Sequence, residues 1–89
     1  MSVIRKKIYP EYFELVKTGK KKFEIRVADF KLNEGDVLVL EEYNPQTQKY
    51  SGRKIEKRVC YLLKYPLNIF DQKKLIEKFG LYAIGLEDI

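Results

Sequence analysis

The amino-acid sequence predicts a small, mainly β domain of the α+β class, a partly closed barrel with two short helices inserted. Three observations carry this expectation. Apolar residues alternate or run continuously over several segments of strand length. Turn-forming residues separate those segments at short intervals. Only two segments show the three-to-four spacing of a helix. The 89 residues make one domain, residues 1–89, with 45% apolar residues and seven Tyr and five Phe to fill a single core.

Ser2 to Ile8 reads as the first strand, with Val3 and Ile8 as its apolar members. Tyr9-Pro10 starts a helix, because proline suits the first helical turn. Tyr9, Tyr12, Phe13 and Val16 make one apolar stripe, and Thr18-Gly19 closes the helix. Lys22 to Val27 is the second strand. Its alternation assigns Phe23, Ile25 and Val27 to the core and Lys22, Glu24 and Arg26 to a charged surface. Asn33 to Asp36 is a turn, and Val37 to Leu40 is a strand buried on both faces. Tyr43 to Gly52 reads as a hairpin connection, with Tyr43 and Tyr50 the aromatic residues best placed for exposure. Ile55 to Leu63 is the longest strand, with Ile55, Lys57, Val59, Tyr61 and Leu63 on one side and Pro66 ending it. A second helix is expected over Ile69 to Phe79, stopped by Gly80, and a closing strand over Leu81 to Leu86. Gly85 marks a bulge or a close backbone approach.

Composition narrows the function classes. With no His and a single Cys there is no Ser-His or Cys-His pair and no zinc site of the common kinds. No glycine-rich phosphate loop is present, so neither metal nor cofactor is expected. Cys60, mid-strand, reads as an inert core thiol, and Glu41-Glu42 as a solvated strand end. Arg5, Lys6 and Lys7 interrupt the first apolar residues, so no leader or membrane segment is expected. A soluble, cytoplasmic monomer follows. Abundant charge with few thermolabile residues suits a protein built for high temperature. The net charge of +5 is unevenly spread: +5 over residues 1–26, −3 over 27–52 and +3 over 53–89. Paired terminal segments would merge into a basic patch that attracts a polyanion.

The chemistry-bearing stretch is Gly19-Lys20-Lys21-Lys22-Phe23-Glu24-Ile25-Arg26. A lysine at the rim of an apolar pocket can act as a base, a carboxylate can orient it, and an arginine can hold an anionic group bidentately. A plain surface charge ladder explains the same spacing, and the two readings stand side by side.

Gly19-x-Lys21-x-x-Glu24-x-Arg26 resembles the signature of the ASCH domains, relatives of the PUA RNA-binding domains. Lys7-Ile8-Tyr9-Pro10-Glu11-Tyr12-Phe13, Gly35-Asp36-Val37-Leu38-Val39-Leu40, Tyr50-Ser51-Gly52-Arg53 and Tyr82-Ala83-Ile84-Gly85-Leu86 are similar to the DUF3850-like branch of that group. The resemblance implies a PUA-like mixed barrel of about five or six strands, with the signature lining a cleft that binds RNA or a nucleotide-like ligand. Gly19, Lys20, Lys21, Lys22, Glu24, Arg26, Lys6 and Lys7 are then the binding residues. A second function is a small amidohydrolase acting on an acylated nucleoside such as N4-acetylcytidine, with Lys21 and Glu24 catalytic. In hydrolytic relatives, however, a threonine stands in the slot of Glu24, and members of this branch often carry a His where this chain has Ile4. A third is a structural or protein-interaction domain, which requires the three charged residues to pair on an open surface.

Overall fold

Residues 1–65 and 79–89 are described by the structure, a computed structural model. Among these residues, five strands form one sheet: β1 (Val3–Ile8), β2 (Phe23–Val27), β3 (Val37–Asn44), β4 (Lys49–Tyr65) and β5 (Leu81–Glu87). The helix α1 (Pro10–Lys17) lies between β1 and β2. The strand order is β1-β3-β4-β5-β2. β1 runs parallel to β3 and every other neighbouring pair is antiparallel. The sheet curls into a half-barrel, so the edge strands β1 and β2 approach one another, and an Arg26 guanidinium N–H is donated to the Lys7 carbonyl across the gap.

α1 forms where its sequence directs. Pro10 opens it, Phe13 and Val16 are its buried residues, and Lys17 complements the dipole in the last turn. Gly19, at φ +83, takes the left-handed conformation that ends it. The chain then folds back, and the Lys21 N–H reaches the Leu15 carbonyl at 2.9 Å. This turn delivers Lys21 to the start of β2. The helix plugs the concave face of the sheet, where Phe13 and Val16 join Ile8, Leu38, Leu40, Val59, Ile84 and Leu86 in one core. Burying each large aliphatic side chain contributes about 1.5–3 kcal/mol.

Val37 to Leu40 are all buried, as a strand covered on both sides requires. Several expectations are corrected. On β1 the half-buried member beside Ile8 is Ile4, while Val3 is exposed. Tyr9 and Tyr12 leave the helical stripe and stand about half exposed. The hairpin connection shrinks to residues 45–48, because β3 extends to Asn44 and β4 begins at Lys49. A register shift between Val59 and Tyr61 moves β4 out of phase, so Val59 is buried but Tyr61 and Leu63 face outward. Cys60 sits at that shift and is exposed rather than core. Gly85 lies opposite it, where a Cβ would fall 3.2 Å from both Cys60 Sγ and Tyr61 Cβ. Apart from Phe79, the second helix expected over residues 69–79 lies outside the described residues.

On β2 the two faces are the reverse of the expected ones. Glu24 is 4% exposed, whereas Phe23 and Ile25 are 51% and 61% exposed. Register decides this. β5 turns its large residues Tyr82, Ile84 and Leu86 inward, and Glu24 and Arg26 pair with Ile84 and Tyr82. Phe23 and Ile25 lie beside Gly85 and Ala83 on the outer face. A strand has period two, so this pairing turns Glu24 and Arg26 to the inner face, while Lys22, ahead of the strand, stays exposed.

A second buried carboxylate fixes α1 to the sheet. Glu42, expected to be solvated, is buried. Arg53 donates to it at 3.0 and 2.8 Å, and Ser51 Oγ at 2.6 Å. The same guanidinium reaches Glu14 of α1 at 2.7 Å and stacks 4.5 Å from the Phe13 ring centroid. The Arg53 hydrogen bonds foremost, then Ser51, hold the Glu42 carboxyl at about 2, well below its ordinary 4.5. Asp36 is lowered too, chiefly by the Ser2 N–H it accepts at 2.9 Å.

Because the folded value of Glu42 lies below the unfolded one, its contribution is complete above about pH 4.5 and is lost as pH falls toward 2. Urea unfolding across that range should show stability falling in the wild type, with a shallower fall in Glu42→Gln. At neutral pH, Arg53→Ala, which strands the buried carboxylate, should cost on the order of 2 kcal/mol.

Candidate functional site

Where the two edge strands meet, the curled sheet leaves a cleft of about 650 Å³. Its base is the charged set of the Gly19–Arg26 stretch. Lys21 Nζ pairs with Glu24 Oε1, and Arg26 Nε donates to Glu24 Oε2 at 3.0 Å. Both carboxylate oxygens are therefore engaged. The Glu24 side chain is 5% exposed, while Lys21 and Arg26 retain 18% and 22%. Removing a carboxylate from water costs several kcal/mol unless hydrogen-bonded cations compensate, and here two of them do.

The walls come from three elements. Lys7 and Ile8 end β1, Tyr9 and Tyr12 begin α1, and Phe23 and Ile25 line the β2 edge. The Lys21 ammonium lies 5.3 Å from the Phe23 ring centroid and 5.8 Å from that of Tyr12, within cation–π range. The Lys7 ammonium stands 4.4 Å from the Tyr43 ring, which meets Tyr50 edge-to-face at 5.0 Å. Among the lining side chains, three cations face one carboxylate. The cleft therefore combines exposed aromatic rings with an excess of positive charge.

Of the residues singled out in the sequence, Lys7, Lys21, Glu24 and Arg26 meet in this cleft. Gly19 and Lys22 do not. They line a smaller cavity of about 260 Å³ on the other side of Lys21, beside the Lys57–Asp88 ion pair. Lys20 is exposed in the turn. Lys6 points away and packs 3.8 Å over the Phe30 ring. Periodicity alone places Tyr9, Tyr12 and Phe23 in the core, whereas all three line the cleft. Proline after Tyr9 and small residues opposite Phe23 are the sequence signals that could have placed them at the cleft. Among the described residues, no cluster of potential metal ligands occurs, and no helix is long and apolar enough to cross a membrane.

Fold and site together define a small half-barrel domain with a cationic, aromatic cleft at its seam. The pattern of the DUF3850 family, a domain of unknown function, matches residues 5–73, and the chain belongs to that family. It is 40% identical over 53 residues to an uncharacterised 12.9 kDa protein of the GpA 3′ region in Escherichia phage P2. That match covers 60% of this chain and 47% of the phage protein, so it spans about half the length of that relative. The fold is similar to the crystal structure of hypothetical protein PH0355, with a TM-score of 0.68 over the whole of both chains at 22% identity.

Because Lys21 and Arg26 share one buried carboxylate, their contributions to stability should not add. Loss of either leaves one cation on Glu24, whereas loss of both leaves a buried charge alone. A double-mutant cycle with Lys21→Ala and Arg26→Ala, read by urea unfolding, is expected to give a coupling of about 1–2 kcal/mol.

Proposed function

We propose that the protein binds RNA or a nucleotide-like ligand in the cleft between β1 and β2. The observation that carries this reading is the meeting of exposed aromatic rings and uncompensated positive charge in one cavity of ligand size. Aromatic faces stack on bases and cations meet phosphate, which is the division of labour in single-strand binding sites. The likeness of the Gly19–Arg26 stretch to the signature of ASCH and PUA-like domains supports the same reading by analogy. Lys7 and Lys21 are the phosphate contacts in this proposal. Arg26 offers its remaining N–H groups, and Glu24 acts as a positioning residue that holds both motif cations. The amidohydrolase alternative calls for Lys21 as a free amine, whereas here Lys21 is one half of an ion pair with Glu24. The protein-interaction alternative calls for the same ion pairs on an open surface, whereas here they adjoin a cavity.

Fluorescence anisotropy with labelled RNA at low salt tests the proposal. Wild-type binding should weaken as salt rises, and Lys7→Ala should weaken it and lower the salt slope by about 0.7, the value per phosphate contact on a single strand. The Lys21→Ala/Arg26→Ala variant, checked for folding, should bind at least about tenfold less tightly. Absence of salt-sensitive binding, or equal binding by the folded double variant, would overturn it.

A further inference from the structure

We infer that the cleft takes an unpaired nucleobase edge-on, hydrogen-bonded by main-chain groups of β2 that point away from β5, so that its ligand is single-stranded rather than helical. This deepens the reading above and rests on it. The argument starts from the phase of the β2–β5 ladder. The Leu86 N–H donates to the Lys22 carbonyl at 2.9 Å, and the Ala28 N–H to the Gly80 carbonyl at 2.8 Å. In an antiparallel ladder, bonded and non-bonded pairs alternate. With Phe23 opposite Gly85 and Ile25 opposite Ala83, the residues bonded to β5 are Lys22, Glu24, Arg26 and Ala28. Phe23, Ile25 and Val27 therefore turn their N–H and C=O groups away from β5. Among the described residues, β2 pairs with no other strand.

The opposite edge has the same character. The Val37 N–H donates to the Ser2 carbonyl at 2.9 Å, which sets the phase of the parallel β1–β3 pair. Val3, Arg5 and Lys7 then face away from β3, and the Lys7 carbonyl is indeed the group that Arg26 reaches. Among the described residues, Phe23 and Ile25 on one edge and Lys7 on the other thus turn main-chain groups outward from the sheet at a cavity that aromatic rings and cations also line, with the Lys7 carbonyl taken by Arg26. An exposed strand edge invites a partner unless something blocks it. Here the Arg26 guanidinium crosses the seam to Lys7 and divides the edge. An extended peptide needs an uninterrupted edge to add as a strand, whereas a single planar group needs only one stretch of it.

A nucleobase is such a group. Its Watson–Crick edge carries a donor and an acceptor side by side, which match a strand edge, and its faces suit Tyr9, Tyr12 or Phe23. In a duplex that edge is already engaged and the ring faces are stacked, so only an unpaired base can enter.

Ile25→Pro isolates the interaction. It removes an N–H that points away from β5, and proline is tolerated on an edge strand at such a position. Ile25→Ala keeps the N–H and controls for the lost side chain. Affinity is measured for a labelled single-stranded RNA and for the same strand annealed to its complement, with circular dichroism to confirm folding. The wild type should favour the single strand by about tenfold. Ile25→Pro should weaken single-strand binding about five- to tenfold with the salt slope unchanged, and Ile25→Ala should weaken it less. A second readout needs no variant. On titration with adenosine or cytidine monophosphate, the Ile25 amide resonance should move downfield in the wild-type nitrogen–proton spectrum. Equal affinity for duplex and single strand, equal effects of the two folded variants, or an unmoved Ile25 amide would overturn the inference. If salt-sensitive binding persists in those cases, the proposed function survives. If the wild type binds no RNA, both fail.

Discussion

A carboxylate that is almost wholly buried at the end of a sheet constrains everything around the seam of this barrel. A carboxylate withdrawn from water needs hydrogen-bonding partners in exchange, and the chain supplies two cations to Glu24 from both directions. Lys21 arrives because Gly19 reverses the chain after α1 and ties the Lys21 N–H to the Leu15 carbonyl. Arg26 arrives because it stands two residues along the same strand face. Having met Glu24, Arg26 still has N–H groups to donate, and one goes to the main chain of β1. The interaction that neutralises a buried charge thereby also sets the distance between two edge strands.

Glu42 shows the same chemistry with a different outcome. It too is buried, and its partner Arg53 is shared with Glu14, so that cluster has more carboxylates than guanidinium groups. Ser51 adds a further hydrogen bond, and the Arg53 guanidinium lies on the Phe13 ring. This network faces a packed helix and clamps α1 to the sheet. Glu24 faces an opening instead. Two buried carboxylates thus divide the work of the half-barrel, one fastening its plug and the other spanning its seam.

How much of this was legible in the sequence follows from which forces are local. The start and stop of α1 were readable because proline and glycine act on their own backbone. The burial of Val37 to Leu40 was readable because four successive apolar residues leave no face for water. The facing of β2 was not. Phe23, Ile25 and Val27 alternate as a core strand should, but which face is inside depends on a partner nearly sixty residues away. Only Tyr82, Ile84 and Leu86, large and inward, against Ala83 and Gly85, small and outward, carry that information. The phase change in β4 was hidden for a related reason. A bulge adds one residue, and nothing in the run from Ile55 to Leu63 marks it except Gly85 on the neighbouring strand. The motif residues Lys21, Glu24 and Arg26 were identifiable, but their setting was inverted, from an outer charged row to the floor of a cleft.

That inversion bears on what the site is for. If the charged residues served only to give Glu24 a partner, one well-placed guanidinium would suffice, as in the cluster around Glu42, where one cation is shared between two carboxylates. At the seam the balance runs the other way. Two cations meet one carboxylate, and Lys7 stands on the rim without contributing to that pairing. Gathering three cations around one carboxylate is a cost that the pairing of Glu24 alone does not require. Exposed Tyr9, Tyr12, Phe23 and Ile25 add apolar surface that the core could have used. Both costs fall at the same place, and a ligand with an anionic group and an aromatic ring would offset both at once.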